Sequence, residues 1–289
     1  MRFNPKKKSR SNVLGVPMSY VEAGKGDPIV FLHGNPTSSY LWRKVIPEVV
    51  AQGKCIAPDL IGMGDSAKIA EGPGAYRFAD HRQYLDAFLE VKGIDANVTL
   101  VGHDWGGALA FDWGRRHPEA VKAVVYMETI VMPVTWADWP PSAVRAFQGL
   151  RSEAGEHMVL EENFFVERIL PASVLTPMTD ETLDEYRRPF RELGESRRPT
   201  LTWPREIPIE GEPADVEAIV ALNHEWLASS PIPKLFINAN PGSILTGRLR
   251  EACREFPNQT EVTVPGVHFI QEDSGPQVGA AISEFLRNL

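Results

Sequence analysis

Short apolar runs rich in valine and isoleucine recur along the chain, each followed by a turn and then by helical spacing. Ile29-Val30-Phe31-Leu32 precedes His33-Gly34-Asn35-Pro36, and Cys55-Ile56-Ala57 precedes Pro58-Asp59 and the Gly62/Gly64 loop. Val98-Thr99-Leu100-Val101 precedes Gly102-His103-Asp104-Trp105-Gly106, and Val121 to Met127 precedes Glu128. Leu235-Phe236-Ile237 and Val262-Thr263-Val264 repeat the motif near the C-terminus, the latter before Pro265-Gly266-Val267-His268. Between them, residues 78–92 carry Tyr84, Leu85, Phe88, Leu89 and Val91, and helices are also predicted over 105–116 and 276–288. Unbroken apolar strands alternating with helices predict a parallel sheet buried on both faces. That is an α/β fold.

The rhythm breaks between Glu128 and Leu235. Residues 132–230 hold Trp136, Trp139, Phe147, Phe164, Phe165, Trp203 and Trp226 among many prolines and arginines, with helical periodicity and no convincing strand run. This predicts a helical cap over residues 132–230, inserted into a core formed by 1–131 and 231–289. The N-terminal stretch, with Lys6-Lys7-Lys8 and Arg10, reads as a solvated, disordered tail and a poor strand sequence.

Composition narrows the functional classes. The chain has 289 residues, 43% of them hydrophobic, enough for a large core. Its net charge of −8 argues against nucleic acid and anionic membrane as partners. Cys55 and Cys253 are far apart, share no motif and read as free thiols. No run approaches the ~18 apolar residues of a membrane span. The N-terminus has no apolar leader core, so the expected location is cytoplasmic, although a periplasmic mature chain would read the same. A monomer or weak homo-oligomer is expected.

Gly102-His103-Asp104-Trp105-Gly106 sits between a strand and a helix. A G-x-nucleophile-x-G turn lifts its central side chain above the sheet. Serine is usual there, but this chain has aspartate. A carboxylate is already anionic at pH 7 and can attack a saturated carbon that bears a good leaving group. The five residues alone fit a helix N-cap aspartate equally well. Of the seven histidines, only His268 follows the last strand and satisfies the order nucleophile, acid, histidine. The acid has two candidate homes at strand ends. The turn after Ile237 offers only Asn238 and Asn240, which leaves Glu128. A departing halide needs donors, and Trp105 and Asn35 provide an indole N–H and an amide NH₂. Each also has a plain structural reading, as a packed aromatic and a turn residue before proline. Backbone N–H groups of Asn35 and Trp105 could form an oxyanion hole for a later hydrolysis step.

These residues lie in longer matching stretches. They include HGNPTSSYLWR (33–43), PDLIGMGDS (58–66), GHDWGGALAFDW (102–113), YMETIVMP (126–133), RRPTLTWPREIPIEG (197–211), KLFINANPG (234–242) and FPNQTEVTVPGVHFIQEDS (256–274). With them the chain resembles the haloalkane dehalogenases of the α/β-hydrolase superfamily. It is similar in particular to the branch with an Asp-His-Glu triad, which includes the enzyme acting on chlorinated cyclohexadienes. The resemblance implies an α/β-hydrolase fold with Asp104 as nucleophile, His268 as base and Glu128 as acid. It also implies Asn35 and Trp105 as halide-binding residues. The implied pocket lining is Trp139, Phe147, Phe165, Ile169, Pro204, Ile207 and Ile244. Ser173 falls at a pocket or tunnel position where the family often carries a larger apolar residue, so its small polar side chain is expected to widen the tunnel.

The reaction so implied is hydrolysis of a haloalkane to alcohol and halide through an alkyl ester on Asp104. It has a small halogenated hydrocarbon, halide and water as its partners, and no metal or organic cofactor. Three rivals share parts of the pattern. An epoxide hydrolase needs cap tyrosines, usually two, and the cap holds only Tyr186; its loop also usually carries an aromatic in place of Asn35. A haloacetate dehalogenase tends to lack the asparagine and needs paired arginines. A coelenterazine-type luciferase shares all five site residues. A silent hydrolase-fold receptor is a fourth reading, from the binding-module class.

Overall fold

The interior apolar runs become the parallel strands of one eight-stranded sheet. The computed structural model describes residues 4–69 and 72–289. Its strands are β1 (Ser9–Val13), β2 (Val16–Ala23), β3 (Pro28–Leu32), β4 (Lys54–Pro58), β5 (Val98–Asp104), β6 (Val121–Thr129), β7 (Lys234–Pro241) and β8 (Gln259–Gly266). The order is β1-β2-β4-β3-β5-β6-β7-β8. β1, β2 and β4 pair antiparallel and the remaining neighbours pair parallel. β5 is buried at every position, as a central strand covered on both faces requires.

Among the described residues, eight helices reach eight residues or more. They are α1 (Phe78–Val91), α2 (Trp105–Arg116), α3 (Pro141–Arg151), α4 (Asp180–Arg187), α5 (Arg198–Glu206), α6 (Ala214–Ser229), α7 (Gly247–Arg254) and α8 (Ile270–Arg287). α8 starts earlier than the spacing predicts and is kinked at Ser274. The stretch between β6 and β7 consists of helices and loops, with isolated bridges such as Val134 to Ile209 joining its start to the turn after α5.

Two expectations need correction. β1 and β2 did not stand out in the hydrophobic pattern. β1 lies at the sheet edge with four of its five side chains at least partly exposed, so a polar sequence suffices there. The residues before it are not wholly a solvated tail. Lys8 Nζ lies 2.7 Å from both Asp59 and Asp65, with its side chain only 8% exposed. Lys6 and Lys7 precede that anchor, and the first three residues lie outside the described part.

Candidate active site

Parallel strands place their C-terminal ends along one edge, where the following loops converge. β3 brings Asn35 there, β5 Asp104, β6 Glu128 and β8 His268. Asp104 ends β5 with φ 53° and ψ −130°, outside the regions a side-chain-bearing residue prefers. The surroundings hold it there. The Thr129 hydroxyl donates to the Asp104 carbonyl. The neighbouring glycines admit the turn: a Cβ at Gly106 would lie 2.1 Å from the Leu32 carbonyl oxygen, and one at Gly34 would lie 2.0 Å from Asp104 Oδ1. The side chain makes no capping hydrogen bond to α2, so the N-cap alternative falls.

The carboxylate instead faces the neighbouring loops. Asp104 Oδ1 accepts the Asn35 backbone N–H at 2.7 Å. Oδ2 stands 3.6 Å from His268 Nε2. On the far side of the ring, His268 Nδ1 lies 3.5 Å from Glu128 Oε2, just beyond a tight hydrogen bond. Glu128 is fully buried, with φ 40°. Its carboxylate accepts N–H groups from Ser243, Ile244 and Leu245 at 3.0, 2.8 and 3.3 Å. The loop after β7 therefore does contribute to the acid, but through backbone donors rather than a carboxylate of its own.

Electrostatics follow from these contacts. Burial alone would push His268 down, but the Asp104 and Glu128 carboxylates on either side of the ring outweigh it and raise the imidazole to about 9. Burial likewise works against the Asp104 anion, and His268 more than offsets it, with help from the Trp105 backbone N–H. The carboxyl thus lies below its ordinary range. The adjoining histidines are neutral. Burial pushes His33 down to about 4 and His103 to about 3. His33 accepts the Leu60 N–H at Nε2 (2.9 Å), and His103 Nε2 lies 2.8 Å from the His268 carbonyl. Both hold loops, as expected from their places beside the motifs.

A cavity of about 450 Å³ opens above Asp104. Asn35, Trp105 and His268 line it, as do all eight expected pocket residues: Trp139, Phe147, Phe165, Ile169, Ser173, Pro204, Ile207 and Ile244. Glu128 stays behind His268 and is not part of the lining. The Trp105 indole N–H makes no hydrogen bond to a protein group among the described residues. Ser173 differs from expectation in one respect. Its hydroxyl donates to the Ile169 carbonyl at 2.7 Å, so the side chain is small toward the cavity but its polarity is already used. The Ser173 carbonyl accepts the N–H groups of His268 and Phe269, which ties this segment to the His268 loop.

Sequence reasoning missed several lining residues, including Ile130, Ala146, Phe164, Arg168 and Val267. A signal was present: 165, 168, 169, 172 and 173 share helical spacing and all line the cavity. Arg168 joins Asp104 and His268 as the charged lining, and its guanidinium has no acceptor among the described residues. Tyr186 lies elsewhere, donating to Glu272 at 2.6 Å, so no tyrosine faces the cavity among the described residues.

Comparison with known proteins is consistent with this geometry. Residues 27–158 match the family described as the alpha/beta hydrolase fold. A haloalkane dehalogenase of Sphingobium indicum is 55% identical over 96% of this chain and 94% of its own length. One from Mycolicibacterium smegmatis is 50% identical over 95% of this chain and 89% of its own. The crystal structure of haloalkane dehalogenase DbeA from Bradyrhizobium elkani superposes with a TM-score of 0.92 at 39% identity, covering 98% of both chains.

Proposed function

The chain belongs to the haloalkane dehalogenases of the α/β-hydrolase fold, and from that premise we propose how its residues carry out hydrolytic dehalogenation. The carrying observation is the Asp104 carboxylate, held at 2.7 Å by the Asn35 N–H beside the Trp105 indole at the floor of an apolar cavity. An Asp104 oxygen attacks the carbon bearing halogen as the carbon–halogen bond breaks, and halide leaves with the bonding pair. The Asn35 amide and the Trp105 indole N–H hold the halide as its charge develops.

Hydrolysis of the resulting alkyl ester needs a base. His268 Nε2 takes a proton from water, and the hydroxide oxygen adds to the Asp104 carbonyl carbon. The backbone N–H groups of Asn35 and Trp105 are placed to stabilise the oxyanion. Collapse expels the alkoxide, which takes the proton back from His268 and leaves as the alcohol; the carboxyl, now with one water-derived oxygen, loses the remaining water proton to solvent. Glu128 holds the imidazole and its positive charge. Overall, haloalkane and water give alcohol, halide and a proton. No metal or organic cofactor enters the scheme.

Trapping tests it. Asp104→Ala abolishes halide release from 1,2-dibromoethane, and retained release overturns the assignment. His268→Phe accumulates a protein heavier by the alkyl group in mass spectrometry, and absence of that species overturns the covalent route.

We read residues 132–230 as a cap and the rest as the core, since the cavity lies between loops of both. The committed Tyr186 hydroxyl disfavours epoxide opening. Coelenterazine oxidation is checked separately by luminometry. We propose a cytoplasmic location, with the periplasm as the alternative, and a monomer or weak homo-oligomer; cell fractionation checks the first and sedimentation velocity the second.

A further inference from the structure

Asn35 lies in the loop after β3 and Trp105 at the start of α2, yet one other helix holds both. Asn35 Nδ2 donates to the Thr200 carbonyl at 3.2 Å. Trp105 stacks on Trp203, with ring centroids 4.7 Å apart and planes inclined by 22°. Thr200 and Trp203 both lie on α5 and are fully buried.

The Thr200 carbonyl is available because of Pro204. In an α-helix the N–H of residue 204 would bond to the carbonyl of residue 200. Proline has no N–H, so that carbonyl loses its helical partner. The Asn35 amide takes the place. This bond also fixes the amide's orientation, because the reversed amide would set two oxygens 3.2 Å apart. The NH₂ group keeps a second N–H for the cavity that Asn35 lines.

Trp203 continues the support. It also stacks on His81, 4.0 Å away with planes inclined by 18°. Burial pushes His81 down to about 3, so this ring is neutral at working pH. The Trp203 indole N–H is buried without an acceptor, so what the side chain supplies is its flat face. α5 is itself fastened to the core. Thr202 Oγ1 donates to the Ala75 carbonyl at 2.8 Å, and Glu206 accepts from the Phe78 N–H at 2.9 Å and from Arg77 Nε at 3.0 Å.

We propose that α5 positions the halide site, with Pro204 freeing the Thr200 carbonyl to orient Asn35 and Trp203 orienting Trp105. This rests on the reading of Asn35 and Trp105 as the halide donors. Thr200 and Trp203 are positioning residues and touch neither halide nor carbon.

The test measures bromide affinity by inhibition, together with the separate rates of alkylation and ester hydrolysis by rapid quench with 1,2-dibromoethane. Trp203→Leu weakens bromide binding and slows alkylation by about tenfold each, less than the 10²–10³ typical of a removed donor. Hydrolysis, which does not use the side-chain donors, stays close to the parent rate. Trp203→Phe, which restores a flat ring, recovers most of the bromide affinity. Pro204→Ala restores the helical N–H, draws the Thr200 carbonyl back and weakens bromide binding while α5 stays folded. Unchanged bromide affinity in both Trp203→Leu and Pro204→Ala overturns the proposal, as does an equal fall in alkylation and hydrolysis. Should Trp203→Leu not fold, Pro204→Ala decides it by the same criteria. Trp105→Leu separates the premise: undiminished bromide binding there overturns the donor reading itself.

Discussion

His268 carries two demands that conflict at a single residue. As the base of the proposed scheme it must be neutral, yet between Asp104 and Glu128 its imidazole is raised to about 9, which favours the charged form in the free enzyme. The conflict resolves once Asp104 is alkylated. The ester has no negative charge, the Asp104 contribution vanishes, and burial again favours the neutral ring. The base thus becomes available only after the first step has occurred. In single turnovers, ester hydrolysis is expected to titrate at a lower pH than His268 of the free enzyme followed by NMR; equal values would contradict this account. The same pair has a stability consequence. The folded value exceeds the ordinary one near 6.5, so the pair's contribution is complete below about 6.5 and is lost as pH rises through about 9. The melting-temperature gap between the parent and His268→Phe should narrow across that window.

At the scale of the element, the π-helical turn Phe165–Ile169 and the residues after it form one wall of the cavity. The wall ends at Ser173, whose carbonyl holds the His268 loop and whose side chain sets how much space remains. Ser173→Leu keeps the carbonyl and adds apolar volume. It should lower kcat/KM for 1-bromohexane roughly tenfold relative to 1,2-dibromoethane, within the range that a few methylenes can discriminate. Parallel loss for both substrates would instead point to a disturbed His268 loop. The turn at Asp104 shows the reverse dependence. Its geometry is local, yet it persists only because Leu32, Gly34 and Thr129 from β3, its following loop and β6 surround it.

Across the whole molecule, partly buried ion clusters join the segment between β6 and β7 to the core. Glu272, on α8, accepts Arg43 Nη2 at 2.6 Å, Lys44 Nζ at 3.1 Å and the Tyr186 hydroxyl from α4. Asp65 similarly gathers Lys8 from the N-terminus and Arg188 just after α4. Removing Glu272 leaves the mostly buried Arg43 guanidinium without its carboxylate. Glu272→Leu should cost about 3 kcal/mol. For a chain of this size that lowers the melting temperature by roughly 6–12 °C in calorimetry. A change under about 1 °C would mean the cluster is solvated and contributes little.

The sequence by itself determined the strand-and-helix rhythm, because apolar periodicity is written locally and a strand buried on both faces has to be apolar throughout. It also singled out the candidate reacting groups, since a carboxylate in a glycine-flanked turn, a histidine after the last strand and a glutamate after a buried one each carry their chemistry in their type. Only the tertiary structure could decide the rest. The edge strand β1 is polar because half its surroundings are water. Lys8 is anchored because Asp59 and Asp65, distant in sequence, meet it. Pro204 acquired its relation to Asn35 through a contact between segments more than a hundred residues apart. Such partners are fixed by packing in three dimensions, and packing leaves no periodic mark along the chain.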